Sequence, residues 1–66
     1  MPVITIDIGK TSKEQKADLV KELVSKASDI LKIPEQAFVT LIRENDFDNI
    51  GNGTKLLSDI NGKKPE

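Results

Sequence analysis

The 66 residues contain no histidine and no cysteine. Disulfides are therefore excluded, and a structural zinc site, which draws on Cys and His ligands, has nothing to build it. Ser-His and Cys-His nucleophilic pairs are excluded for the same reason. Tryptophan and tyrosine are also missing, and Phe38 and Phe47 are the only aromatics. A base-stacking platform for single-stranded nucleic acid needs more. Ten basic and eleven acidic residues leave a formal charge of −1, against the concentrated basic surface of a nucleic-acid binder. No apolar run approaches the ~20 residues of a membrane span. The N-terminus enters a strand pattern directly, with no signal-peptide character, so the expected location is cytoplasmic.

The second residue is a proline. An initiator methionine is generally removed when a small residue follows it. The mature chain would then begin with a secondary amine, fixed in φ by its own ring. Ordinary backbone nitrogens are amides and have no usable lone pair. In a chain without His or Cys, a free Pro2 amine is a candidate general base or nucleophile.

A chain of this length forms one domain, and ordering it costs about 1.5 kcal/mol per residue. Such a domain shields only about 60% of its surface. Disulfides and zinc being excluded, self-association is the expected support.

Residues Val3-Ile-Thr-Ile-Asp-Ile8 alternate and are rich in β-branched side chains, the pattern of a strand. Ile4, Ile6 and Ile8 share one face, and Val3, Thr5 and Asp7 the other. Gly9 ends it. Ser12-Lys-Glu-Gln15 fits a capping box, which predicts a helix to about Leu31. Ala17, Val20, Leu23, Val24, Ala27, Ile30 and Leu31 recur at helical spacing, while Lys13, Lys16, Asp18, Lys21, Glu22 and Lys26 form a solvated face. Pro34 cannot continue the helix.

Ala37 to Arg43 reads as a second strand with apolar residues on both faces: Phe38 and Ile42 on one, Val39 and Leu41 on the other. One helix can cover one face, so another subunit is expected on the second. Strand, helix and strand in so short a span predict an α/β fold, a βαβ unit with parallel strands and a right-handed crossover. A turn-rich segment, Glu44 to Thr54, then leads to Leu56, Leu57 and Ile60. The domain is placed at residues 1–60, followed by a polar tail at 61–66.

Two motifs fail on inspection. Gly9-Lys10-Thr11 lacks the glycine a phosphate loop needs five residues earlier, where Ile4 stands. Asp46-Phe-Asp48 starts like a calcium loop, but Ile50 and Leu57 occupy ligand positions.

Pro2 with its immediate strand, the Ser12-capped helix bearing Glu14-Gln15-Lys16, a second strand ending near Glu44, and Asn49-Ile50-Gly51-Asn52-Gly53 ahead of Leu56-Leu57-Ser58-Asp59 occur in one order. This arrangement, over about residues 2 to 59, resembles the 4-oxalocrotonate tautomerase family of the tautomerase superfamily. The resemblance implies a βαβ protomer that pairs into a four-stranded sheet, with three such dimers forming a homohexamer. It implies an enol–keto tautomerase acting on an unsaturated 2-hydroxy or 2-oxo acid, with Pro2 as catalytic base and no cofactor.

For substrate binding the resemblance points to Lys10, Thr11, Val39, Arg43 and Ile50. The family's arginine before the capping serine is matched by Thr11, and a loop about one residue shorter brings Lys10 toward that place. The family's arginine within the second strand is matched by Val39; Arg43 lies on the same face, roughly 13 Å further along by strand rise. The family's aromatic wall is matched by Ile50. Two other readings stay open at this point: a hydratase or dehalogenase-like enzyme using protonated Pro2 as an acid, and a non-catalytic oligomeric module.

Overall fold

The computed structural model describes residues 1–60; the predicted tail at 61–66 lies outside them. Strand β1 (Val3–Ile8) is followed by helix α1 (Lys13–Leu31), a 3-10 turn (Glu35–Ala37) and strand β2 (Val39–Glu44). A second 3-10 turn (Phe47–Asn49) leads into a small hairpin, β3 (Gly51–Asn52) and β4 (Lys55–Leu56), and a final helical turn, α2 (Leu57–Ile60).

β1 and β2 run parallel, in a register from Val3 opposite Val39 to Ile8 opposite Glu44. The predicted βαβ unit is thus present, with one boundary moved. β2 begins at Val39, and residue 37, the predicted start, lies in the first 3-10 turn. Pro34 fixes its own φ at −59° and supplies the carbonyl that the Ala37 N–H binds at 3.0 Å. The chain therefore turns once before it extends.

The capping box forms as the sequence requires. Ser12 Oγ accepts the Gln15 N–H at 3.1 Å, and Gln15 Oε1 accepts the Ser12 N–H at 3.3 Å. At the other end Lys32 takes the left-handed conformation, φ 60° and ψ 41°, and donates its N–H to the Ser28 carbonyl. Ser28 Oγ donates to the Ile33 carbonyl at 2.5 Å. Glycine is the usual occupant of such a position. The helix thus stops at Leu31, ahead of Pro34, which biases Ile33 toward extended geometry. In the hairpin, Gly53 carries the positive φ, 66°, at the first central position of a two-residue loop, where such turns favour glycine.

α1 lies over the Ile4, Ile6, Ile8 face of the sheet, and the two strands alternate between half-buried and exposed positions accordingly. The covered stripe of α1 is narrower than its apolar residues suggest. Lys16, Leu19, Val20, Val24, Ala27 and Ser28 are half-buried, whereas Ala17, Leu23, Ile30 and Leu31 are exposed. A helix of 19 residues is ~28 Å long and a strand of six is ~20 Å, so the last helical turn overhangs the sheet. Two strands are also too narrow to cover a broad apolar stripe.

No described residue is fully buried. The protomer measures 43 × 24 × 14 Å, with a radius of gyration of 15.1 Å, where a compact chain of this size has about 11 Å. Val3, Val39 and Leu41 stand 51%, 38% and 49% exposed on the sheet face away from α1. Their full burial would contribute up to about 1.5–3 kcal/mol each. An open groove of about 410 Å³ also runs between α1 and β2, lined in part by Val20, Val24, Phe38 and Thr40. The Thr40 hydroxyl is enclosed there without a hydrogen-bond partner. One protomer leaves its apolar surface and one polar atom unsatisfied.

Candidate active site

Pro2 stands at the head of β1. Its carbonyl accepts the Val39 N–H at 3.0 Å, which extends the parallel ladder one step beyond Val3 and fixes Pro2 beside the start of β2. The residue is half-buried, and by strand alternation it belongs with Ile4 on the α1 side. Met1 is 87% exposed. While Met1 is attached, the Pro2 nitrogen is an amide; its removal would leave an amine on an anchored ring at the sheet edge.

The opposite end of the sheet is charged. The Thr11 N–H donates to Glu44 Oε2 at 3.3 Å, and the same oxygen lies 3.0 Å from Lys16 Nζ. Lys10 Nζ lies 2.9 Å from Asp46 Oδ1, and Arg43 lies 3.6 Å from Asp7 across the strand pair. Ile8 O accepts both the backbone N–H of Asn45, at 2.8 Å, and its side-chain amide, at 3.3 Å. The Thr11 hydroxyl donates to Gln15 Oε1. Together these contacts tie the loop between β1 and α1 to the segment leaving β2. The loop comes so close at Gly9 that an added Cβ would meet the Phe47 ring at 3.4 Å.

Titration follows this geometry. The hydrogen bond to Lys16, then that from the Thr11 backbone, hold the Glu44 carboxyl below the usual carboxylate range. The hydrogen bond and charge of Asp46 push Lys10 above the ordinary lysine value.

The five candidate binding residues thus fall into three places. Val39 adjoins Pro2. Lys10, Thr11 and Arg43 lie toward the other end of the sheet, which is ~20 Å long by strand rise. Ile50 joins the second 3-10 turn to the hairpin: its N–H binds the Phe47 carbonyl at 3.3 Å and its own carbonyl accepts the Leu57 N–H at 2.8 Å. A single protomer does not gather Lys10, Thr11 and Arg43 around Pro2. Glu44 and Asp46 hold the loop, a role the sequence does not reveal: there Glu44 marks only the end of a strand and Asp46 the start of a failed calcium loop, since two acids after a strand carry no periodic signal. Among the described residues no group of His, Cys, Asp and Glu could hold a metal ion.

The family model described as "Tautomerase enzyme" matches residues 2–60. No curated protein matches the chain. Among solved structures, a 4-oxalocrotonate tautomerase homologue, TTHB242, is 28% identical; the match covers 89% of this chain and 95% of that one, with a TM-score of 0.83. DmpI from Archaeoglobus fulgidus is 33% identical over 88% of this chain and 100% of its own, with a TM-score of 0.80. An unfused 4-OT in its apo form is 30% identical over 89% and 98%, with a TM-score of 0.79.

Proposed function

Since the chain belongs to the tautomerase family, we propose that it is an enol–keto tautomerase of an unsaturated 2-hydroxy or 2-oxo acid, with the free amine of Pro2 as general base. The observation that carries this reading is the placement of Pro2. It is half-buried and anchored through its carbonyl to Val39, in a chain without His or Cys.

The chemistry is a proton shuttle. The Pro2 lone pair takes the enol O–H proton, the electrons of that O–H bond form the C=O, and the C=C π electrons take a proton at carbon from the Pro2 ammonium. A general base works best with a pKa near the working pH. Apolar surroundings lower an amine's pKa by disfavouring its charged form.

The same reading completes the site by assembly. Neighbouring protomers, in a homohexamer built as a trimer of dimers, would cover the exposed sheet face and carry Lys10, Thr11, Arg43 and Ile50 toward Pro2, in a cytoplasmic protein needing no cofactor.

The decisive test is ketonisation of a 2-hydroxydienoate or of enolised phenylpyruvate by protein whose intact mass shows Met1 removed. Pro2→Ala should lower the rate by about 10²–10⁴, the usual scale for a general base, with the assembly unchanged by sedimentation. Full activity in that variant would sink the proposal.

A further inference from the structure

Asn45, Asn49 and Asn52 follow β2, and their surroundings differ. Asn45 holds the Ile8 carbonyl through its side-chain amide at 3.3 Å and precedes Asp46. Asn49 precedes Ile50, whose branched side chain crowds its own nitrogen and whose N–H is bound to the Phe47 carbonyl at 3.3 Å. Asn52 precedes Gly53. That glycine has no side chain, carries a φ of 66°, and has nothing within 4 Å of where a Cβ would stand. Residues 51 to 56 are all exposed. Among the described residues the Gly53 N–H has no backbone hydrogen-bond partner.

An asparagine side chain is open to attack by the next backbone nitrogen where that nitrogen is unhindered. The deprotonated Gly53 nitrogen would bond to Asn52 Cγ, the Cγ–Nδ2 bond would break, and the side-chain nitrogen would leave as ammonia with the proton from Gly53. The five-membered imide left behind adds one water at either carbonyl and opens to aspartate or isoaspartate. No oxidant, reductant or cofactor enters. To reach this geometry Asn52 must rotate out of its strand. That strand is weakly held: β3 and β4 pair Gly51 with Leu56 and Asn52 with Lys55, and there the ladder ends. A two-stranded hairpin is marginal by itself, and segments with few buried contacts open at little cost.

We propose that Asn52-Gly53 is a site of nonenzymatic deamidation, and that the isoaspartate formed there releases the hairpin from the segment bearing Ile50. The proposal stands on the hairpin and does not depend on the tautomerase reading. Isoaspartate routes the backbone through the side chain and so adds one carbon to it, which the short register of β3 and β4 has no room to absorb. It also puts a carboxylate where an amide stood. The Ile50 carbonyl, which accepts the Leu57 N–H at 2.8 Å, adjoins the disturbed pairs.

The test incubates the processed, assembled protein at mildly alkaline pH and follows its mass as an amino group is exchanged for a hydroxyl. Trypsin cuts after Arg43, Lys55 and Lys63, which separates fragment 44–55 from fragment 56–63 with its own Asn61-Gly62 pair. The expected result is a mass gain in fragment 44–55, located at Asn52 by fragmentation, with isoaspartate among the products. Asn52→Gln should show no such gain. The rate in the folded protein should lie within about tenfold of that in the guanidinium-unfolded chain at the same pH, as for a segment that opens at little cost. In the modified protein the Leu57 N–H should lose its protection from hydrogen exchange. A mass gain confined to other positions, or a folded rate below that bound, overturns the site. Leu57 protection unchanged after modification overturns the release of the hairpin.

Discussion

Where Val3 faces Val39 the parallel strand pair is apolar and exposed, and its defining polar contact is one backbone hydrogen bond from Val39 to Pro2. Where Ile8 faces Glu44 the same two strands end in ion pairs and side-chain-to-backbone bonds that clamp the loop before α1. Among the described residues the first end lacks partners, whereas the second has supplied its own. The protomer is therefore locally finished where it is charged and unfinished where the candidate base stands. That is the arrangement expected if the site is closed by other copies of the chain.

The largest effect that would break this contrast comes from the unfinished side. Leu41 is 49% exposed on the sheet face away from α1. If that face is covered in the assembly, Leu41→Asp buries a charge without a partner, at roughly 3–5 kcal/mol. The expected outcome is dissociation, read by sedimentation, with unfolding that depends on protein concentration in the native form. An unchanged assembly would mean that this face is open to solvent and that the site is completed elsewhere.

A smaller effect is expected at the finished end. Ser12→Ala removes the oxygen that accepts the Gln15 N–H and should cost about 1 kcal/mol, with Ser12→Gly costing only a few tenths. Urea unfolding at fixed protein concentration should show a lower midpoint and an unchanged slope. The assembly should persist, since the cap is made within one chain.

The same division governs what could be read from the sequence. Alternation in Val3–Ile8, the Ser12–Gln15 box and the two apolar faces of β2 are local patterns, and each has a counterpart in the fold. The start of β2 shifted because Pro34 and the turn after it leave no periodic mark. The covered stripe of α1 is narrower than its apolar pattern, because periodicity reports which residues are apolar and not how broad a sheet lies beneath them. Pro2 was legible through its chemistry in a chain without His or Cys. The binding residues were only partly so: sequence order does not show that Lys10 finds Asp46 or that Arg43 finds Asp7.

The finest test of the contrast is acid titration of the clamp. Glu44 is held below the usual carboxylate range by Lys16 first and by the Thr11 backbone second. A carboxyl whose folded pKa is depressed contributes stability above its unfolded pKa and loses it as pH falls through the folded value. The clamp should therefore hold at neutral pH and weaken in acid, at a pH below that at which an unperturbed glutamate titrates. Glu44→Gln keeps an acceptor for the Thr11 N–H but gives up the charge that attracts Lys16. Its deficit should be small, because the pair is exposed and solvent-screened. The deficit should be present near neutrality and vanish in acid, where the side chain at position 44 is uncharged in both proteins. Thermal unfolding of the two proteins across that pH range, at one protein concentration, measures it. A gap that persists in acid would show that Glu44 holds the loop by shape rather than by charge. The two ends of the sheet would then differ less in kind than their residues suggest.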